Sequence, residues 1–290
     1  MIIIGCSGGA HLSGKIAKKL KVPYSNLKVK RFPDNEIGIR LMSNVRGKEI
    51  ALVQSFYGNI NDCVVEVLFA AETARELGAK KIFLVAPYLP YMRKDQRYET
   101  GECISCKALA SIISQYFDKV YVVEPHVDKK TKFSELFSIK SKKLSSNPYI
   151  IDYIRKNIKN PLIVGPDKGS LDMVKDIAGK LRCKYVIMEK KRISGTKVRV
   201  RLNKKVNFED KNIIFVDDII STGNTILECT KNLKKMGAKS FYCIAVHGIF
   251  VEKALQKLRK ANVKVVTTNT IPSKVSKIDV SQLVADALKK

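Results

Sequence analysis

Asn212-Ile213-Ile214-Phe215-Val216-Asp217-Asp218-Ile219-Ile220-Ser221-Thr222-Gly223-Asn224-Thr225 decides the fold class of this chain. Ile213 to Val216 is a run of large apolar residues, mostly branched, and reads as a buried parallel strand. Two carboxylates follow at its carboxyl end, then a short hydroxyl-rich turn, then the helical pattern Ile226, Leu227, Thr230, Leu233, Lys234. Such a strand–turn–helix unit is an anion cradle. Backbone N–H groups at the helix start point at a phosphate, Gly223 permits close approach, and Ser221, Thr222 and Thr225 add hydroxyl donors. Asp217 and Asp218 would repel that phosphate, so they suit ribose hydroxyls or a divalent ion. A helix-capping role accounts for an isolated Asp-Asp, but less well for the whole run.

The chain around this unit has 290 residues, room for two ordinary domains, and 45% of them are hydrophobic. Mean hydropathy is -0.10. No stretch approaches ~18 uninterrupted apolar residues, so no membrane partner is expected. Met1-Ile2-Ile3-Ile4 is too short for a signal-peptide core and reads as a first strand. Seven cysteines, scattered through expected strands and helices, suggest reduced thiols and a cytoplasmic location. Cys103 and Cys106 form a single C-x-x-C with no second pair at zinc spacing. The formal net charge of +27 suits nucleic acid or polyphosphate substrates alike. Its basic residues are spread along the chain rather than gathered in one segment, and nucleic acid is not an expected partner.

Strands alternate with helices throughout, which predicts doubly wound parallel sheets. Ile2-Ile3-Ile4-Gly5, Gly9 and a helix from about His11 to Leu20 are echoed by Leu162-Ile163-Val164-Gly165, Gly169 and a helix to Leu181. Ile50 to Val53 with Leu77-Gly78-Ala79-Lys80 is echoed by Ile213 to Val216 with Met236-Gly237-Ala238-Lys239. The offset stays near ~160 residues, far above solenoid periods, and indicates domain duplication. Ser145 to Pro148 is the expected boundary, giving domains 1–146 and 147–290. Asn61 is expected to cap a helix running to Leu77. Where the second copy has its acidic pair and phosphate turn, the first has Gln54-Ser55-Phe56-Tyr57-Gly58-Asn59. One half therefore keeps the sugar-phosphate site and the other serves architecture and nucleotide binding.

Gly165-Pro166-Asp167-Lys168-Gly169-Ser170 suits a pyrophosphate or a hydrated metal, although read alone it is an ordinary β–α turn. Met188 to Thr196 is basic and lies between two strands, as either a solvated hairpin or a flap whose cations close over phosphates. His126 sits at a strand exit beside Glu124, one of three histidines with His11 and His247. Metal contact and a plain hydrogen-bonding role both remain open for it.

The central run resembles the 5-phosphoribosyl-1-pyrophosphate motif of the type I phosphoribosyltransferase fold. The whole chain resembles the ribose-phosphate pyrophosphokinase family, in the shorter archaeal-type form. That resemblance implies two phosphoribosyltransferase-like domains, the second alone retaining the sugar-phosphate site. It implies an ATP site built from Phe32, Asp34, Asn35 and Glu36 together with Tyr91, Arg93, Lys94 and Asp95, partly across a subunit boundary. It implies ribose 5-phosphate on Asp217, Asp218, Ser221, Thr222, Gly223, Asn224 and Thr225, with Arg192. Mg²⁺ would fall to His126 and Asp167, and Lys190 and Arg192 would be catalytic. The implied enzyme is a homo-oligomer, dimer or larger, moving pyrophosphate from MgATP to ribose 5-phosphate. Glu124-Pro125-His126 replaces the commoner Asp-Leu-His, Ser221 stands where many members have Asp, and Lys94 and Gln96 alter the usual context. The rival expectations are a phosphoribosyltransferase consuming phosphoribosyl pyrophosphate and a non-catalytic scaffold on the same fold.

Overall fold

The computed structural model describes residues 1–127, 131–192, 198–202 and 206–289, with backbone alone for 189–192 and 198–202. The chain divides into two compact units, the first spanning Met1–Ser145 together with the segment from Val280 onward, the second Ser146–Asp279.

The first unit runs β1 (Ile2–Gly5), α1 (Ala10–Leu20), β2 (Tyr24–Asn26), β3 (Lys28–Arg31), β4 (Ile37–Arg40), β5 (Glu49–Val53), α2 (Ile60–Glu76), β6 (Lys81–Ala86), α3 (Ser105–Tyr116), β7 (Lys119–Val123) and β8 (Lys140–Leu144). Six of these strands form a parallel sheet in the order β2-β1-β5-β6-β7-β8. Ile2, Ile4, Ile50, Leu52, Ile82 and Leu84 feed one hydrophobic core. The alternate residues Ile3, Ala51, Val53 and Val85 are buried as well. Both faces are covered, which is why these strands read as unbroken apolar runs rather than alternating ones. The hairpin β3–β4 stands apart as its own two-stranded sheet.

The second unit runs α4 (Asn147–Asn157), β9 (Pro161–Gly165), α5 (Leu171–Leu181), β10 (Tyr185–Arg192), β11 (Val198–Leu202), β12 (Asn212–Ile220), α6 (Asn224–Lys235), β13 (Ser240–Gly248), α7 (Ala254–Lys260), β14 (Val263–Thr268) and β15 (Ser276–Ile278). Its sheet order, β10-β9-β12-β13-β14-β15, repeats that of the first, and β11 adds an antiparallel strand outside β10. The helix ends after α2 and α6 repeat in detail. Ala79 N–H reaches Ala74 O at 2.9 Å, and Ala238 N–H reaches Leu233 O at 3.0 Å. Gly78 (φ 83°) and Gly237 (φ 94°) turn the chain left-handed between them. The doubly wound parallel sheets and the duplication are thus both present.

The expected boundaries need one correction. Residues after 279 were expected in the second domain, yet α8 (Ser281–Leu288) follows β15 and packs on α1 and β8 of the first unit. The counterpart α4 follows β8 and packs on α5 and β15 of the second. Each unit is therefore completed by the helix that leaves the other's last strand. Val284 and Ala285 of α8 are fully buried, so the apolar surface of α1 determines where this helix lies.

Candidate functional site

β12 is longer than expected. Its ladder to β13 continues past Val216, pairing Asp217 with Ala245, Ile219 with His247 and Ile220 with Gly248. The acidic pair therefore sits inside the strand's last turn of pleat rather than in a loop beyond it. Ser221 and Thr222 form the turn, Gly223 takes φ 73°, and α6 starts at Asn224. The left-handed backbone at Gly223 is strained for any side chain, and an added Cβ would also meet Leu258 at 3.3 Å. The N–H groups of the first turn of α6 have no partners within the helix itself, which suits an anion.

β9 and β12 are neighbours, so the turn after β9 lies beside the turn after β12. The Cys229 thiol of α6 donates to Pro166 O at 3.9 Å. Asp167 folds its own turn, its Oδ1 accepting from Gly169 N–H at 2.8 Å. Burial first, then the negative charge of Asp218 and of Asp167, pushes the Asp217 carboxyl well above the usual range. A hydroxyl donor or a cation would relieve that charge. This crevice is where the strand order reverses about β9, the usual ligand position in open α/β sheets.

The first unit treats the same places differently. Glu66 of α2 reaches the turn between β1 and α1, its Oε1 accepting from Ser7 N–H at 2.7 Å and its Oε2 from the Ser7 hydroxyl at 2.5 Å. Gln54 Oε1 accepts from Gly8 N–H at 2.7 Å. Gln54, Ser55 and Phe56 are fully buried. An added Cβ at Gly8 would meet Ser55 O at 2.1 Å, so this turn is packed against the strand end that in the second unit carries the carboxylates. Glu66 and Gln54 thus bond to the β1–α1 turn, whose counterpart in the second unit holds Asp167. Burial raises the Glu66 carboxyl, against the lowering effect of its bonds to Ser7 and Gln54.

Phe32, Asp34, Asn35 and Glu36 form the turn of the β3–β4 hairpin, closed by Phe32 N–H to Glu36 O at 2.8 Å with Asn35 at φ 72°. Arg93, Lys94 and Asp95 lie in the irregular segment between β6 and α3. Lys94 is engaged locally. Its Nζ meets Glu102 Oε2 at 2.6 Å and lies 4.7 Å from the Tyr98 ring centroid. That bond and the Tyr98 and Glu99 N–H groups hold the Glu102 carboxyl down at about 2. Asn61 does not cap α2. The cap position is Asn59, and Asn61 Oδ1 accepts from the Tyr91 hydroxyl instead.

His126 is exposed just beyond β7 in the first unit, whereas Asp167 is in the second. The neighbouring Glu124 turns toward β8, accepting from the Ser145 hydroxyl at 2.7 Å and pairing with Lys143 at 3.3 Å. No cluster of three or more His, Cys, Asp or Glu suited to a metal occurs among the described residues. All seven cysteines are free, with Cys103 exposed and Cys106 buried.

The basic stretch is strand as far as Arg192. β10 pairs antiparallel with β11, Lys190 opposite Val200 and Arg192 opposite Val198. Residues 193–197, with Ser194, Gly195 and Thr196, and the side chains of Lys190 and Arg192 lie outside the described residues. His247, for which the sequence suggested no role, is buried beside Ile219 with Nδ1 2.9 Å from Thr270 Oγ1. No sequence signal separated it from an ordinary core residue.

Residues 1–116 match the family model for the N-terminal domain of ribose phosphate pyrophosphokinase, and residues 134–283 match the phosphoribosyl transferase domain. A ribose-phosphate pyrophosphokinase of Pyrococcus furiosus is 37% identical over 280 residues, 97% of each chain. One of Saccharolobus solfataricus is 38% identical over 296 residues, covering 99% of this chain and all of the relative. A crystal structure of phosphoribosylpyrophosphate synthetase from Mycobacterium smegmatis has the same fold, with a TM-score of 0.87 at 24% identity over 99% of this chain and 97% of that one.

Proposed function

The chain belongs to the ribose-phosphate pyrophosphokinase family, and from that premise we propose that it transfers the pyrophosphoryl group of MgATP to the 1-hydroxyl of ribose 5-phosphate. The products are 5-phosphoribosyl 1-pyrophosphate and AMP, for nucleotide biosynthesis. One observation carries this reading. The end of β12 carries Asp217 and Asp218 ahead of the left-handed Gly223 turn, whereas the matching end of β5 carries Gln54 and Ser55, buried against the β1–α1 turn.

In this reading Asp217 and Asp218 accept the ribose hydroxyls, and the turn Ser221 to Thr225 holds the 5-phosphate through backbone N–H and hydroxyl groups. The sugar's 1-hydroxyl oxygen then bonds to the β-phosphorus of ATP as the bond to the α–β bridging oxygen breaks. AMP leaves with that electron pair, and the hydroxyl proton passes to solvent. No side chain is assigned as an obligatory base. Lys190 and Arg192 meet the charge that grows on the transferring oxygens, so that positioning and electrostatics carry the rate. Phe32, Asp34, Asn35, Glu36, Arg93, Lys94 and Asp95 form the nucleotide side.

Asp167 and His126 would hold Mg²⁺. The carboxylate oxygens of Asp167 fit a hard cation, which needs only one or two carboxylates when substrate phosphates supply further oxygens. When bound it would supply positive charge against the polyphosphate oxygens. We place the enzyme in the cytoplasm, in keeping with its free cysteines. No helix among the described residues is long and apolar enough to cross a membrane. Incubation with ATP, Mg²⁺ and ribose 5-phosphate tests the reading. AMP released only when the sugar phosphate is present is the expected result, and ADP in its place would overturn it.

A further inference from the structure

The β3–β4 hairpin meets the rest of the first unit through β4 and α2 rather than through the main sheet. It is a separate two-stranded sheet, exposed along all of β3. Two strands alone are marginally stable in water, so what fixes this hairpin must come from outside it. Ile39 and Leu41 reach the core at its base. Farther out, the tie is polar. Arg31 pairs through Nη2 with Asp62 Oδ2 in the first turn of α2, and its Nη1 donates to Asn35 O in the hairpin turn at 3.0 Å. One guanidinium thus fastens the turn to the helix. The Phe32 ring is set by the same turn, lying across the opposite strand where an added Cβ at Gly38 would be 3.0 Å from it.

The preceding residue of α2 works on a different element. Asn61 accepts from the hydroxyl of Tyr91, whose backbone is at φ 63° at the head of the segment carrying Arg93 and Asp95. Adjacent side chains on one helical turn therefore hold both elements assigned to the nucleotide. Between hairpin and helix lies a cavity of about 210 Å³ lined by Arg31, Tyr57, Asn59, Asp62 and Glu66 among others. That space leaves the outer hairpin without packed side chains beneath it.

We infer that Asp62 is a positioning residue for the nucleotide, acting through Arg31 on the hairpin turn, with Asn61 doing the same for the Tyr91 segment. The inference rests on the reading of Phe32 to Glu36 as a nucleotide element. Arg31 and Asp62 side chains are 42% and 37% exposed, so the pair adds little to global stability. Its effect is on where the turn sits.

The test compares Asp62→Ala, Asp62→Glu and Phe32→Ala in steady-state kinetics and thermal melts. Asp62→Ala is expected to raise the Michaelis constant for ATP about fivefold or more, leaving that for ribose 5-phosphate and the melting temperature near wild type. Asp62→Glu keeps the charge and recovers most of the loss. If Phe32→Ala raises the ATP constant and Asp62→Ala does not, the positioning role is overturned while the nucleotide reading stands. If neither variant changes it, the nucleotide reading of the hairpin falls and the inference with it. A rise in both Michaelis constants, or a melting temperature lowered by many degrees, overturns positioning in favour of a general structural role.

Discussion

The Glu66 carboxylate accepts both the backbone N–H and the hydroxyl of Ser7, at 2.7 and 2.5 Å. A side chain of the first unit thereby ligands a turn whose counterpart in the second unit carries Asp167. Glu66 is 3% exposed, and removing it forfeits two hydrogen bonds to a carboxylate. Glu66→Ala is expected to cost about 1–3 kcal/mol by thermal or denaturant unfolding. Glu66→Gln keeps an acceptor and is expected to cost much less. Neither variant should change the Michaelis constant for ribose 5-phosphate, and a change there would contradict the assignment of the sugar to the second unit alone.

Asp217 gives a pH dependence with a definite sign. Its carboxyl is raised by burial, then by the charges of Asp218 and Asp167. A group whose folded pKa exceeds its unfolded value of ~3.9 contributes stability below that value, lost as pH rises through the folded pKa. At neutral pH the wild-type carboxylate is therefore a cost to folding. Asp217→Asn is expected to melt about 2–4 °C higher at neutral pH, with little gain in acid. The same variant should weaken ribose 5-phosphate, because a group accepting two hydroxyls is replaced by a mixed donor and acceptor. An unchanged Michaelis constant in a folded variant would mean that the sugar lies elsewhere.

Much of this was legible in the sequence, for identifiable reasons. Both sheets are covered on two faces, so Ile2-Ile3-Ile4 and Ile213 to Val216 stand out as unbroken apolar runs. The repeated Gly-Ala-Lys after α2 and α6 marks the same helix ending twice. The missing parts depend on tertiary context. β12 extends through Asp217 and Asp218 because β13 offers a ladder, which local polarity does not reveal. α8 returns to the first unit because α1 offers an apolar face, and an amphipathic pattern does not say which face it covers. Nothing in the sequence sets Glu66 and Asp62 apart from other charges in a helix. Their partners, Ser7 and Arg31, are distant in sequence.

Lys190 and Arg192 lie two residues apart in a described strand, and a strand alternates its residues between two faces. The register places positions 190 and 192 on one face and 191 on the other. Lys190→Ala is expected to lower turnover about 10²–10³-fold with little change in either Michaelis constant, as for a donor acting mainly in the transition state. Lys191→Ala should cost far less. Equal losses at the two lysines would reduce the stretch to a solvated hairpin.

A first unit that keeps its fold without the acidic pair is free to present a symmetric surface. The expected assembly is a dimer or larger, with Phe32, Asp34 and Glu36 of one subunit approaching the nucleotide held mainly by another. Light scattering at assay concentration checks this. A fully active monomer would be incompatible with a shared nucleotide site.

The central claim, pyrophosphoryl transfer to a sugar held by the second unit, is tested most directly by phosphorus NMR of a reaction with ATP, Mg²⁺ and ribose 5-phosphate. The expected spectrum shows the β- and γ-phosphates transferred together onto the 1-oxygen of the sugar, one AMP formed for each, and the 5-phosphate unchanged. Product carrying a single transferred phosphate with ADP, or no reaction while phosphoribosyl pyrophosphate is consumed with a base, would contradict it.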